Sequence, residues 1–233
     1  YEKMQERIEA LKEKNRYTII MGDVCDNTVA MRGGQINKFF DPTMIDPKLN
    51  TFDRQAKEFV RLYGPVKDKI IGIIIGNHEL RTVDQELFTT LLCKPLDLHF
   101  LGAMCMINLS CYYKKQQIGS FTIWACHGAY AGQQVGGGIN RLRQLAGLYS
   151  ADIYLHAHTH DKLTYTDINV EYDAKHNDMV EVPKIYAMTG TFQKSQAKGM
   201  MSMVDFKPQL RLSKIGTITI ELDPLNHRMH AHE

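Results

Sequence analysis

The sequence lacks the features that mark membrane, secreted and fibrous proteins. Among its 233 residues, no apolar run reaches the roughly 18 residues that a membrane-spanning helix requires. Its five cysteines are scattered and odd in number, with no C-x-x-C pair, which favours free thiols in a reducing compartment over a disulfide framework. Internal repeats, low-complexity tracts and clear linkers are also missing. We therefore expect a globular protein with no membrane partner.

The chain also lacks a strong net charge. Its 28 Lys and Arg residues nearly balance 26 Asp and Glu residues, for a formal charge of +2. This balance argues neither for nor against nucleic-acid binding, because a local basic patch could still contact phosphate. A hydrophobic content of 44% and a charged content of 23% are ordinary for a globular protein. The length suffices for a full core, and we expect one domain over residues 1–233.

Helix and strand patterns alternate in the first half of the chain, and strand patterns dominate the second. The charged run EKMQERIEALKEKN and the later DRQAKEFVRLYG have helical periodicity. The apolar runs YTIIM and KIIGIII are typical of buried strands. Further strands follow, interrupted by a Gly-rich loop and one helix near residues 136–147. This order predicts an α/β fold, α+β in some schemes, built as a layered sandwich.

Polar residues of metal-binding types follow four of the predicted strands. The four segments are Gly22–Asp26, Gly76–Glu79, Cys126–Gly128 and Ala157–His160. In layered α/β sheets, ligands collect beyond the carboxyl ends of the strands. A mixture of His, Asp and Asn suits Zn, Mn, Fe or Ni better than Ca. Two such ions, about 3.5–4 Å apart, can clamp a phosphoryl group.

In type and order, these blocks resemble the calcineurin-like metallophosphoesterases, whose pattern is D-x-H, G-D-x-x-D, G-N-H-[ED], H and G-H-x-H. The stretch from His127 to Asp161 resembles, more narrowly, a branch common in phage and prophage genomes. The resemblance implies a four-layer α-β-β-α sandwich of two mixed sheets flanked by helices. It also implies metal-dependent hydrolysis of a phosphoester substrate, such as DNA or a nucleotide, by a phosphodiesterase or nuclease. Such a protein would be cytoplasmic, in a bacterial host or encoded by a phage.

The resemblance assigns metal-binding roles to five residues. Asp23 corresponds to the carboxylate that bridges two divalent ions, which would be Mn, Zn, Fe or Ni. Asn77, His127 and His158 correspond to ligands of the second ion. His160 corresponds to a ligand of the first. Taken alone, His127 would be more typical of a buried core histidine, so its assignment depends on the pattern.

Catalytic and supporting roles follow from the same resemblance. His78 corresponds to the histidine that contacts the phosphate and assists the leaving group. Asp26 corresponds to the carboxylate that orients His78, and Glu79 to support behind the ligands. Arg32 and Arg81 closely follow the first two blocks and are candidates for substrate binding.

The sequence departs from the family pattern in three places. The D-x-H block, which supplies two ligands of the first ion and should precede the opening helix, is absent. Ala157 replaces the Gly of G-H-x-H, and Asn27 replaces an Arg typical of Ser/Thr protein phosphatases. We expect an N-terminally truncated chain whose first metal site is weakened, and whose activity suffers for it. The alternative is a metallophosphoesterase-fold interaction or scaffold module that has lost one metal.

Other residues of chemical interest have structural explanations. Asp97–His99 also reads D-x-H, but it lies on the wrong side of the motif order, so we expect an ordinary strand start. His156 falls at a position that is usually apolar in the resembling branch, and we expect it to pack or to support the ligands from behind, not to bind a metal. The run Gly136–Gly138 is typical either of a flexible loop or of a helix start whose backbone N–H groups could cradle phosphate. The histidines near the end of the chain are expected to lie on a solvated tail: His227, His230 and His232.

Overall fold

The computed structural model of the chain describes residues 2–25, 31–32, 35–36, 51–81, 83–128, 135–193 and 214–233. These residues belong to two units. The first comprises Tyr1–Ala103, His127–Ala129 and Phe192–Leu212, and the second comprises Met104–Cys126, Tyr130–Thr191 and Ser213–Glu233. In the part of the chain that is described, no helix combines the length and apolarity needed to cross a membrane.

Among its described residues, the first unit contains three α-helices and four short strands. The helices are α1 (Glu2–Ala10), α2 (Thr51–Tyr63) and α3 (Gln85–Phe88), and α3 continues into a π-helical turn. The strands are β1 (Thr18–Ile20), β2 (Met31–Arg32), β3 (Gln35–Ile36) and β4 (Ile70–Ile73). A 3-10 segment, Gly64–Lys69, joins α2 to β4.

Helix α2 forms because its apolar side chains recur on one face. Phe52, Ala56 and Phe59 lie three or four residues apart, and all three are buried in the core of the first unit. Helix α3 begins at Asp84, whose Oδ1 accepts a hydrogen bond from the Leu87 N–H at 2.8 Å. Such an N-cap contributes about 1 kcal/mol to helix stability.

Strands β1 and β4 run parallel, which brings their carboxyl ends to the same edge. The Ile74 N–H donates to the Ile20 carbonyl at 2.8 Å, so the pairing continues up to the point where both strands end. Ile73 and Ile74 are fully buried behind this edge. The motif blocks that begin at Gly22 and Gly76 therefore follow adjacent strand ends, as the sequence predicts.

The second unit contains one helix and eight strands among its described residues. The helix is α4 (Val135–Ala146). The strands are β5 (Met104–Tyr113), β6 (Gln116–Cys126), β7 (Ile153–His156), β8 (Lys162–Asp173), β9 (Asp178–Thr191), β10 (Gly216–Thr217), β11 (Thr219–Asp223) and β12 (Arg228–His232). Six of them form a mixed sheet in the order β10-β9-β7-β6-β5, with β8 paired to β9.

Aromatic side chains fill the core between α4 and this sheet. Trp124, Tyr154 and Tyr186 occupy matching positions on three adjacent strands, and the two tyrosine rings stack 5.0 Å apart. The Tyr154 hydroxyl donates to the Tyr149 carbonyl at 2.6 Å and accepts from the Ala151 N–H. One buried tyrosine thereby fixes the connection from α4 to β7.

The glycine run at residues 136–138 lies inside α4, so the expectation of a loop is wrong. Gly138 packs against β9, where a Cβ atom would come within 2.8 Å of Met188 Cε. The helix uses glycine here for close packing, which compensates for glycine's poor helix propensity.

The expectation of a histidine tail at the C-terminus is also wrong. His230 and His232 lie in β12, which pairs antiparallel with β11. His227 lies in the turn between these strands and stacks on Phe121 at 4.8 Å. The terminal histidines therefore belong to an ordered hairpin.

The mixed α/β composition and the mixed sheet are confirmed, and the elements follow an α+β order. The predicted stacking of two sheets as layers, and the single domain over residues 1–233, concern both units at once and stay predictions.

Candidate metal centre

The loop after β1 requires glycine for close approach of the backbone. Gly22 has a φ of +88°, and a Cβ atom there would come within 2.7 Å of His127 Nδ1 and 2.8 Å of the Gly76 nitrogen. Asp23 follows, also in the left-handed region, with a φ of +52°. This turn directs the Asp23 carboxylate back across the loop that follows β4.

The loop after β4 is equally tight. A Cβ atom on Gly76 would collide with the backbone nitrogen and Oδ1 of Asp23, and would lie 2.7 Å from Glu79 Oε2. Gly22 and Gly76 are therefore required for the same reason. The loops after β1 and β4 approach each other so closely that neither has room for a side chain at these positions.

Glu79 joins the two loops from beneath. Its side chain is fully buried and accepts hydrogen bonds from the N–H groups of Asp23 (3.1 Å), Cys25 (2.9 Å) and Gly76 (2.9 Å). Burial raises the pKa of Glu79, the Asp23 carboxylate adds to that effect, and the backbone donors partly oppose it. Glu79 thus has the supporting position that the sequence predicts.

His127 follows β6 and presents one ring nitrogen to the backbone and the other to the site. Its Nδ1 lies 2.7 Å from the Met21 carbonyl oxygen. Because a carbonyl can only accept, Nδ1 carries the proton and donates. Its Nε2 lies 2.9 Å from Asn77 Oδ1 and 3.2 Å from Asp23 Oδ2. The Nε2 lone pair of the neutral ring therefore faces two oxygen atoms.

Three electron-pair donors thus converge: Asp23 Oδ2, Asn77 Oδ1 and His127 Nε2. Two ligands that are each about 2.1 Å from a shared ion lie about 3 Å apart at the right angle of octahedral coordination, and about 3.4 Å apart at the tetrahedral angle. The observed 2.9 and 3.2 Å separations match these spacings. A carboxylate, an amide oxygen and an imidazole also form a donor set that suits Zn, Mn, Fe or Ni. The residues of the first unit therefore fit a divalent metal ion.

The electrostatics of these groups agree with a site for positive charge. Burial raises the pKa of Asp23, but the hydrogen bond and charge of His127, with the His78 amide, outweigh it and leave the pKa below its usual value. Burial lowers the pKa of His127, but Asp23 outweighs it and leaves that pKa raised. Without a metal, the two side chains form a partly buried ion pair.

His78 lies at the rim of the same cluster. Its N–H donates to Asp23 Oδ1 at 2.9 Å, which fixes the backbone. Its ring Nε2 lies 3.9 Å from Asp23 Oδ2, and the side chain keeps 27% of its surface exposed. This ring can therefore meet a molecule that arrives from solvent.

The histidine triplet after β7 lies in the second unit. His156 is the last residue of the strand and is buried, as expected of a packing residue. His158 and His160 have φ angles of +64° and +60°. Left-handed conformations are uncommon outside glycine and concentrate at functional sites. They also occur here at ordinary turn residues, such as Asn15.

The structure brings together Asp23, Asn77, His78 and His127 of the predicted site. The participation of His158 and His160 stays a prediction. Asp26 and the side chains of Arg32 and Arg81 lie outside the described residues.

The Asp97–His99 segment leads from a 3-10 turn into a single parallel bridge between Phe100 and Ile73, and the expected strand does not extend beyond that bridge. Asp97 ends a 3-10 turn with a φ of +54°, Leu98 is buried, and the His99 carbonyl accepts from the Ile73 N–H. Sequence reasoning missed Met21, whose carbonyl orients His127. A backbone acceptor leaves no signal in side-chain identity.

Comparison with known proteins adds little to this geometry. No protein-family model and no curated protein matches the chain. Among solved structures, the chain is similar to a single-residue mutant of Vps29 from Entamoeba histolytica. That match has 12% identity and a TM-score of 0.33, and it covers 84% of this chain and 93% of the other. A likeness at this level assigns neither a function nor a ligand, so what is known of the site comes from its own residues.

Proposed function

We propose that this chain belongs to a metal-dependent phosphoesterase of the calcineurin-like type, a phosphodiesterase or nuclease. The proposal rests on the convergence of three metal-binding atoms. Asn77 Oδ1 lies 2.9 Å from His127 Nε2, and Asp23 Oδ2 lies 3.2 Å from the same nitrogen. The order of the four sequence blocks supports the same function.

The proposed site holds two divalent ions, Mn, Zn, Fe or Ni. Asp23, Asn77 and His127 would bind from the first unit, with Asp23 shared by both ions. His158 and His160 are proposed as further ligands on the strength of the G-H-x-H resemblance. When bound, the ions supply positive charge that polarises a phosphoryl group and acidifies water.

The chain's own residues prepare this chemistry. The bond from His127 Nδ1–H to the Met21 carbonyl holds the ring in the tautomer whose Nε2 lone pair is available to a metal. His78, exposed at the rim, is proposed to give a proton to the departing oxygen, or to stabilise its charge. Asp26 is proposed to orient His78, and Arg32 and Arg81 to bind the phosphate.

A second candidate function is a non-catalytic interaction module. The Asp23–His127 contact at 3.2 Å favours it, because a partly buried carboxylate–imidazolium pair can connect the two loops that carry these residues without a metal. Metal content separates the two candidates. An enzyme should bind two ions per chain, the first more weakly, and an interaction module that has lost one metal should bind one at most.

The test combines metal analysis with hydrolysis. We expect purified protein to retain a divalent ion by plasma mass spectrometry, and to hydrolyse bis(4-nitrophenyl) phosphate with added Mn²⁺ at a rate reduced by the weakened first metal site. His127→Ala should lose the ion. His78→Ala should keep the ion and lose turnover by about 10²-fold or more, in line with removal of a general acid. His99→Ala is the matched control, since His99 is exposed and outside the cluster.

Two results would contradict the proposal. One is a wild-type chain that binds no divalent ion at micromolar concentration. The other is a His78→Ala variant as active as His99→Ala. If neither result is found, hydrolysis of single- or double-stranded DNA over a salt series distinguishes a nuclease from a small-molecule phosphodiesterase. A nuclease should be more sensitive to salt, because DNA contacts release counterions.

A further inference from the structure

The distal half of the β8–β9 hairpin is exposed on both faces. From Ile168 to Tyr172 every residue of β8 is exposed, as are residues 178–181 of β9. Adjacent residues of a strand point to opposite faces, and directly paired residues share a face. The register of this hairpin therefore defines two separate surfaces.

One surface, the apolar face, carries large hydrophobic side chains. Ile168, Val170, Tyr172 and Met179 share it, and each keeps 59–61% of its surface exposed. Single exposed apolar residues are common on proteins, but a contiguous row marks an interaction surface.

The opposite surface, the acidic face, carries Asp167, Glu171, Asp173 and Asp178. This face therefore has four carboxylates and one lysine, Lys184, whereas the fifth carboxylate of the hairpin, Glu181, lies opposite Val170 on the apolar face. Asp167 pairs with Arg143 of α4 at 2.7 Å, and Glu171 lies 3.4 Å from the Lys184 amine. A cleft of about 530 Å³ opens on this side, between Asn140 and Gln144 of α4 and Asn169 of β8.

The turn that closes the hairpin is held by its own hydrogen bonds. Asp173 Oδ1 accepts from the N–H groups of Lys175 (2.9 Å) and His176 (3.3 Å). The Tyr172 hydroxyl donates to Asn177 Oδ1 at 2.7 Å. The surface is therefore preorganised, which lowers the entropic cost of binding.

The outer edge of β8 has no strand partner among the described residues, since β8 pairs only with β9. Strand edges of this kind accept a further strand through backbone hydrogen bonds. A second copy of β8 fits poorly, because antiparallel self-pairing would bring its acidic residues near one another. A strand that alternates apolar and basic residues fits both faces at once.

We propose that the β8 edge is a docking site for an extended segment of another protein in which apolar residues alternate with Lys or Arg. The segment adds as a strand beside β8. Its apolar side chains cover Ile168, Val170 and Tyr172. Its basic side chains lie along the acidic face and reach the cleft beside Asn169.

Three capped, fluorescent nine-residue peptides test the proposal against the full chain by fluorescence anisotropy. The first alternates Lys and Val, the second alternates Glu and Val, and the third repeats the first with every second backbone nitrogen methylated. We expect the first to bind at least tenfold more tightly than either of the others, because both charge and backbone pairing contribute. Val170→Lys should weaken its binding at least tenfold.

Met106→Lys is the matched control, since Met106 is an exposed residue on the opposite edge strand, β5. Met106→Lys should leave peptide affinity unchanged. His127→Ala should also leave it unchanged, and that result would show that peptide binding does not depend on the proposed metal site. The proposal fails if the Lys–Val peptide does not bind at millimolar concentration. It also fails if the Glu or methylated peptide binds as tightly, or if Met106→Lys matches Val170→Lys. A dimer in sedimentation that Val170→Lys dissociates would likewise overturn it, in favour of a second copy of the chain.

Discussion

The strand-end loops of the first unit and the β8–β9 turn of the second are both organised by one carboxylate, but in opposite ways. Glu79 is fully buried and binds N–H groups on two different loops, including one 56 residues away. Asp173 binds N–H groups two and three residues along the same turn, in solvent. The first carboxylate joins distant segments, whereas the second shapes a local one.

This difference determines what each carboxylate contributes. A buried carboxylate is costly to desolvate and is tolerated only where its hydrogen bonds are satisfied. Its loss should therefore affect stability and the metal centre together. A local turn depends on contacts that water can replace, so its loss should change local order and little else. The predictions below test that contrast.

The largest effect is expected from Gly76→Ala. Its Cβ atom would collide with Asp23 and approach Glu79 Oε2 to 2.7 Å, both in rigid surroundings. We expect urea unfolding to show a loss of about 3 kcal/mol, together with loss of metal binding. Gly64→Ala is the control, because its Cβ would meet only Leu96 Cδ2 at 3.8 Å. Equal stabilities for the two variants would show that the loops are not close-packed.

Glu79→Gln should have an intermediate effect. The amide would place an NH₂ group against at least one backbone N–H that now donates to a carboxylate oxygen. We expect a loss of about 2 kcal/mol in the free energy of unfolding, and about tenfold weaker metal binding. Glu58→Gln, at a surface pair with Arg61, should change the same free energy by less than about 0.5 kcal/mol. If the two substitutions cost the same, Glu79 does not join the loops.

The smallest effect is expected at the hairpin turn. A hydrogen bond from His176, aided by the Lys175 amide, lowers the pKa of Asp173 below its ordinary value of 3.8. A lowered carboxyl pKa stabilises the turn above that ordinary value, and the effect disappears as pH falls through the folded value. Hydrogen-exchange protection of the Lys175 and His176 amides should therefore be lost in acid.

Asp173→Ala should remove the same protection at neutral pH and leave the unfolding midpoint nearly unchanged. A large fall in the midpoint would mean that this turn, like the Glu79 loops, supports structure beyond itself.

Much of the fold could be predicted from local patterns. The periodicity of α2 and the apolar runs of β1 and β4 specify their elements, because each pattern is repeated within a few residues. The helical conformation of the glycine run in α4 and the strand β12 could not be predicted from local patterns. Gly138 packs closely against Met188, 50 positions later, and no local pattern encodes that contact. His230 and His232 are ordered because β11 pairs with them.

The sequence by itself determined which residue types would follow each strand, and hence the chemistry available: a carboxylate, an amide and imidazoles, without disulfides. Only the tertiary structure decided that Asp23, Asn77 and His127 meet, that Glu79 lies beneath them, and that the β8 edge is exposed. The reason is physical. Local preferences fix the conformation of a segment. The convergence of the ligands also requires the burial of Glu79 and close backbone contact at Gly22 and Gly76. These contacts form between distant parts of the chain, so no local pattern specifies them.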